Sequence, residues 1–99
     1  MDTTGLPGAD LIEQGLADLA ARRESDAAWL VLIGAPRLRR LGLPVPTAPT
    51  EWLQANDDPS PEHRLYARLA RTDSDTAHSR YNALIRTLVS FERAGECVN

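Results

Sequence analysis

The sequence predicts an all-α fold, a compact bundle of four or five helices with a proline-rich connection at its centre. Three observations carry that expectation. Alanine and leucine supply most of the 42% apolar content, and both lose little on entering a helix, whereas the β-branched residues that suit strands are scarce. Apolar residues recur at helical spacing towards both ends of the chain. Capping residues and breakers bracket the candidate helices. A chain of 99 residues, 25% of them charged, supplies one core and has the composition of a globular protein, so residues 1–99 are read as a single domain.

The first helix is expected over residues 10–23. Asp10 reads as its N-cap with Glu13 three residues on, and Leu11, Ile12, Gly15, Leu16 and Leu19 share one face. Gly15 weakens this helix but lets another backbone come close. Ser25 caps a second segment, 25–34, with Asp26 well placed for the helix dipole. Trp29, Leu30, Val31, Leu32 and Ile33 point in every direction around a helix, which implies burial on all sides. The competing reading is a buried strand followed by a turn at Gly34-Ala35-Pro36. A strand needs a partner and no other segment offers one, so a central helix is preferred.

Pro36 suits the first position of a short helix, 36–41, that Gly42 ends. Residues 43–59 form the connection: Pro44, Pro46 and Pro49 favour an extended path, residues 50–54 have room for one helical turn, and 56–59 read as a polar turn. A connection this long is expected to lie against the bundle or to serve a function. Ser60 caps a helix over 60–71, with Leu65, Tyr66, Leu69 and Ala70 as its buried stripe and Arg64, Arg68 and Arg71 on another face. The longest helix is expected over 74–94, where Ala77, Tyr81, Leu84, Leu88 and Phe91 follow a 4-3-4-3 spacing widened by Ile85 and Val89.

The net charge of -3 gives no broad electrostatic footprint for nucleic acid or an anionic membrane. All eleven basic residues are arginine; codon usage in a GC-rich genome explains this plainly, and selection for bidentate contacts explains it more sharply. Cys97 is the single cysteine, so no intrachain disulfide forms, which fits a reducing compartment. Residues 1–9 lack a signal-peptide pattern, and the longest apolar run, 27–33, is far short of the roughly 20 residues a spanning helix needs. Cytoplasm is therefore the expected location, with no membrane partner. Phosphate-loop, G-x-S-x-G, C-x-x-C and H-E-x-x-H patterns are absent, and His63, His78 and Cys97 fit no metal-ligand spacing. No cofactor, metal or catalytic residue is assigned.

What remains to interpret is surface. Arg37, Arg39 and Arg40 lie on a short helix and suit acidic groups of a partner, the plainer reading being a solvated basic face. Trp52, beside prolines, either folds back over its own core or anchors an interface. His78, Tyr81 and Glu92 form a candidate polar cluster on the last helix. Glu92 falls within the apolar face, where a carboxylate must reach water, find a cation or protonate. The expected order is a wet carboxylate at a projecting helix end, then an ion pair with an arginine of another helix, then a functional acid. The predicted function is a protein–protein interaction or accessory module without catalytic activity, meeting another protein or a second copy through the helix from Ser74 to Ala94. Nucleic-acid binding through the arginine faces is the minor alternative, and an enzyme centred on His78, Tyr81 and Glu92 ranks third.

Overall fold

The computed structural model describes residues 3–54 and 60–98. Among these residues the fold is all-α, with helices α1 (Ala9–Ala20), α2 (Asp26–Ile33), α3 (Ala35–Arg40), α4 (Thr50–Gln54), α5 (Pro61–Thr72) and α6 (Ala77–Val98), and no strand. The count exceeds the expected four or five because the single turn α4 is a helix in its own right. α2 lies at the centre, packed against α1, α3, α5 and α6. Ala28, Trp29, Leu30 and Val31 have no solvent exposure at all, which is why this segment carries no amphipathic stripe. The strand alternative is thereby overturned: Ser25 adopts extended backbone and its Oγ accepts the Ala28 N–H at 3.0 Å, the geometry of a helix N-cap.

α1 departs from expectation at both ends. Its N-cap is Gly8 in the left-handed region (φ 78°), and Asp10 sits in the first turn without capping. Glu13 accepts a hydrogen bond from the Thr3 hydroxyl instead of closing a capping box. The helix stops at Ala20 rather than residue 23, because Arg22 takes a positive φ of 60°. The Arg22 and Arg23 N–H groups then fold back to the carbonyls of Leu19 and Asp18 at 3.1 and 2.7 Å, a Schellman ending normally built on glycine. The Asp18 carboxylate holds this turn to the next helix. It accepts from Ser25 Oγ and Gln14 Nε2 at 2.8 Å and from Arg23 Nη2 at 3.0 Å. The Ser25 hydroxyl above all, opposed by burial and helped by Arg23 and Gln14, keeps its pKa below the ordinary value.

α1 and α2 touch backbone to backbone at Gly15. A β-carbon there would overlap the Ala27 carbonyl oxygen and stand 2.7 Å from Val31 Cγ1. The described part of the proline-rich connection, 43–54, is laid against the bundle. Leu43 and Val45 are buried in it, and the Arg39 guanidinium donates to the Val45 carbonyl at 2.9 Å. The expected polar turn at 56–59 falls outside the described residues. Beyond it, Ser60 Oγ accepts from the His63 N–H, capping α5, and Leu65 and Leu69 enter the core.

α6 is shifted towards the C-terminus relative to the expected 74–94. Asp73 Oδ1 accepts the Asp75 N–H at 3.0 Å, a local turn that competes with helix and delays its start. At the other end the helix runs on to Val98, and its last turns are tied to α3 by Arg37, which pairs with both Glu92 and Glu96. Ala77, Leu88 and Phe91 are the buried positions of the apolar stripe.

Candidate interaction groove

The chain passes from α2 to α3 through Gly34, which closes one helix and opens the next. α6 lies directly on this junction: a β-carbon on Gly34 would stand 2.8 Å from Leu88 Cδ1 and 3.0 Å from Glu92 Oε2. Beside the junction, a groove of about 350 Å³ opens between α3 and the second half of α6. Ile33 and Pro36 form one wall and Ile85, Leu88 and Val89 the other, with Arg37, Arg40 and Glu92 supplying the polar groups. The surface continues past Arg37 and Arg40 into a second depression, bounded by Leu41, Gly42 and Glu96.

Glu92 is 4% exposed, and its Oε1 accepts from Arg37 Nη1 at 3.3 Å. The first-ranked expectation, a wet carboxylate, is replaced by the second, an ion pair with another helix. The reason is that α6 does not project past the bundle; α3 covers this turn. Burial pushes the Glu92 pKa above the ordinary carboxylate range, against the charge of Arg37; Glu96 adds to the rise and Arg40 opposes it.

The sign of the consequence is fixed by linkage. A folded pKa above the unfolded value, which is about 4.3, means that the native chain binds the proton more tightly. The site's contribution to stability therefore falls as pH rises from the ordinary carboxylate range through the raised folded value. Asp18, whose pKa is lowered, acts oppositely and loses its contribution as pH falls. Glu92→Gln retains an acceptor for Arg37 and removes the buried charge. Its melting temperature is expected to equal or exceed that of the parent at pH 7, the difference shrinking at pH 4. A marked loss at pH 7 would show that the Arg37 pair outweighs the burial of its carboxylate.

The other candidate residues are dispersed. His78 is exposed on α6, its Nε2 3.2 Å from Asn82 Nδ2. Tyr81 is half-buried against Tyr66, ring centroids 5.6 Å apart. Glu92 stands eleven residues beyond Tyr81, roughly 16 Å along the helix axis, so His78, Tyr81 and Glu92 do not meet. Arg37 faces the two glutamates, while Arg39 holds the connection. Trp52 folds back over the core with its ring centroid 5.4 Å from that of Trp29. In the arginine stripe of α5, Arg64 lies over the Trp29 ring at 5.4 Å and Arg68 Nε bonds Asp26 Oδ1 at 3.1 Å. Among the described residues no group of three or more His, Cys, Asp or Glu could hold a metal ion, and no helix is long and apolar enough to cross a membrane.

Compared with known proteins, the chain matches no family model, no curated protein and no solved structure. What the groove can do follows from its own chemistry. Aliphatic walls take up apolar side chains, and the arginines around them set the sign of what is accepted. Arg40 is exposed on the α3 rim, and Arg86 and Arg93 are exposed on α6. Arg86 and Arg93 lie three and four residues from Val89, hence on the same flank. None of these three has a hydrogen-bond or ion-pair partner among the described residues. Sequence reasoning missed Ile33, Pro36, Arg86 and Arg93; the signal for the opposite wall was present in Ile85 and Val89, which broaden the stripe of α6 beyond what one neighbouring helix covers.

Proposed function

We propose that the protein is a non-catalytic helical interaction module, and that its groove between α3 and α6 receives a short apolar segment of another protein flanked by acidic residues. One observation supports this reading above the rest: an aliphatic groove carries Arg40 at its rim, and Arg86 and Arg93 lie on the Val89 flank of α6, none of the three held in a hydrogen bond or close ion pair among the described residues. Apolar contacts within such a groove supply affinity, and the charged rim sets partner choice and association rate. On this reading α6 is the helix through which a partner is met. Arg39 and Trp52 are engaged within the fold, with the Val45 carbonyl and the Trp29 ring, and are not assigned to the partner.

The test is capture with the full chain as bait, followed by binding measurements on any protein recovered. Val89→Glu places a charge in the groove and is expected to abolish binding, while Arg40→Glu with Arg93→Glu weakens it about tenfold or more. Both effects leave the helical circular dichroism unchanged, and the second is muted at high salt. Undiminished binding by both variants would remove the groove from the proposal. The same three arginines also suit phosphates. A gel shift that weakens with salt and is lost in the arginine variants but retained by Val89→Glu would favour nucleic acid instead.

A further inference from the structure

A second site stands apart from the groove, where the start of α5 meets α6. Tyr66 is 39% exposed, while the Trp, Phe and other Tyr side chains among the described residues are buried or half-buried. Its ring meets that of Tyr81 at 64°, centroids 5.6 Å apart. The two rings form a corner rather than a stack, and they line a depression of about 430 Å³ together with Ser60, Glu62 and His63. Glu62 lies one turn before Tyr66 on the same face of α5. Its Oε2 accepts from Ser60 Oγ at 2.7 Å, which fixes the carboxylate at the helix start. Burial first, and then the charge of Glu62, push the Tyr81 phenol pKa up, and both residues line the same depression.

From this arrangement we infer that the depression binds a methylated ammonium group. Aromatic faces are electron-rich and attract cations, most strongly where the cation sheds its water easily. A bare ammonium is strongly hydrated, and one carboxylate already engaged by Ser60 replaces little of that hydration. A methylated ammonium carries its charge under an apolar surface and loses little on entry. A planar guanidinium is weakly hydrated too, but it stacks flat on one ring, whereas two rings at a steep angle suit a rounded group. The same group occurs on free choline-type molecules and on methylated lysine side chains, and the structure assigns the chemistry common to both.

The experiment follows the tyrosine ring resonances of the full chain by NMR at pH 8 during titration with tetramethylammonium chloride. Sodium chloride and guanidinium chloride at equal ionic strength serve as controls. Saturable shifts of the Tyr66 and Tyr81 signals are expected, with a dissociation constant of the order of millimolar, since each ring contributes modestly at a half-open site. Tyr66→Ala and Glu62→Gln each weaken binding by about threefold or more, while Val89→Glu leaves it unchanged, so this site and the groove stand or fall separately. Choline and a trimethyllysine peptide, titrated in turn, distinguish the two sources by which binds more tightly. Equal shifts with sodium chloride, or guanidinium binding as tightly as tetramethylammonium, would overturn the inference. So would unchanged binding in Glu62→Gln, a surface substitution that decides the matter even where Tyr66→Ala loses helicity.

Discussion

Gly15→Ala is expected to destabilise the protein by about 1–3 kcal/mol, lowering the melting temperature by roughly 5–20 °C, although the same change in an unconstrained helix stabilises by about 1 kcal/mol. The sign is decided by contact. The new methyl would overlap the Ala27 carbonyl oxygen and crowd Val31 Cγ1 at 2.7 Å and the Ala27 carbonyl carbon at 2.8 Å. Two of these atoms are backbone of α2, and neighbouring Ala28 to Val31 are wholly buried, so α2 has nowhere to retreat. The remaining response is to move α1 outward, which opens space around Ile12 and Leu19. Thermal melts followed by circular dichroism check this, with Ala17→Gly on the exposed side of α1 as the control for helix propensity alone. A Gly15→Ala variant as stable as the parent would mean that α1 slides on α2 without loss.

The same glycine shows what was legible in the sequence. Its place inside an apolar face implied a close backbone approach, and α2 supplies that backbone. The caps at Ser25 and Ser60 were legible for a similar reason: a hydroxyl bonding the third N–H along is a local event, complete within four residues. The ends of α1 and α6 were not. α1 stops where Arg22 enters the left-handed region, a conformation that residue type disfavours, and the Arg22 guanidinium pairs with Glu51 at 2.9 Å. α6 continues to Val98 with Arg37 paired to Glu92 and Glu96 across fifty-five and fifty-nine residues. Partners so distant in sequence leave no trace in a periodicity.

The candidate site divides in the same way. A lone acid within an apolar stripe marked Glu92 as unusual, but its neighbours depended on which helix crosses there. α3 crosses, so Glu92 meets Arg37, and the wall of Ile33 and Pro36 comes with it. The cluster drawn from angular position alone failed because angle ignores rise: His78 and Tyr81 share a direction with Glu92 but stand several turns away. Asp18 was also within reach, since an acid three residues after Gly15 falls beside a buried stripe and needs donors. Its chief donor, Ser25, already caps α2 through its own oxygen, so one hydroxyl joins two helices.

The second large effect is expected at Trp29. Its side chain has no exposure, its Nε1 donates to Glu24 Oε2 at 2.8 Å, Trp52 packs on it, and Arg64 lies over its ring. Trp29→Ala removes the largest buried side chain of the central helix and is expected to cost about 3–5 kcal/mol, a large share of the ~5–15 kcal/mol that stabilises a domain of this size. The melting temperature falls by about 15 °C or more. Trp52, then the sole tryptophan, loses the surface it rests on, so its fluorescence moves to longer wavelength even below the transition. Trp29→Phe separates the two contributions: it keeps an aromatic ring in place while depriving Glu24 of its donor, and it costs less because Glu24 is exposed and water replaces the lost bond. A Trp29→Ala protein melting within a few degrees of the parent would show that the core closes around the gap, and that α2 is not the element on which the other helices depend.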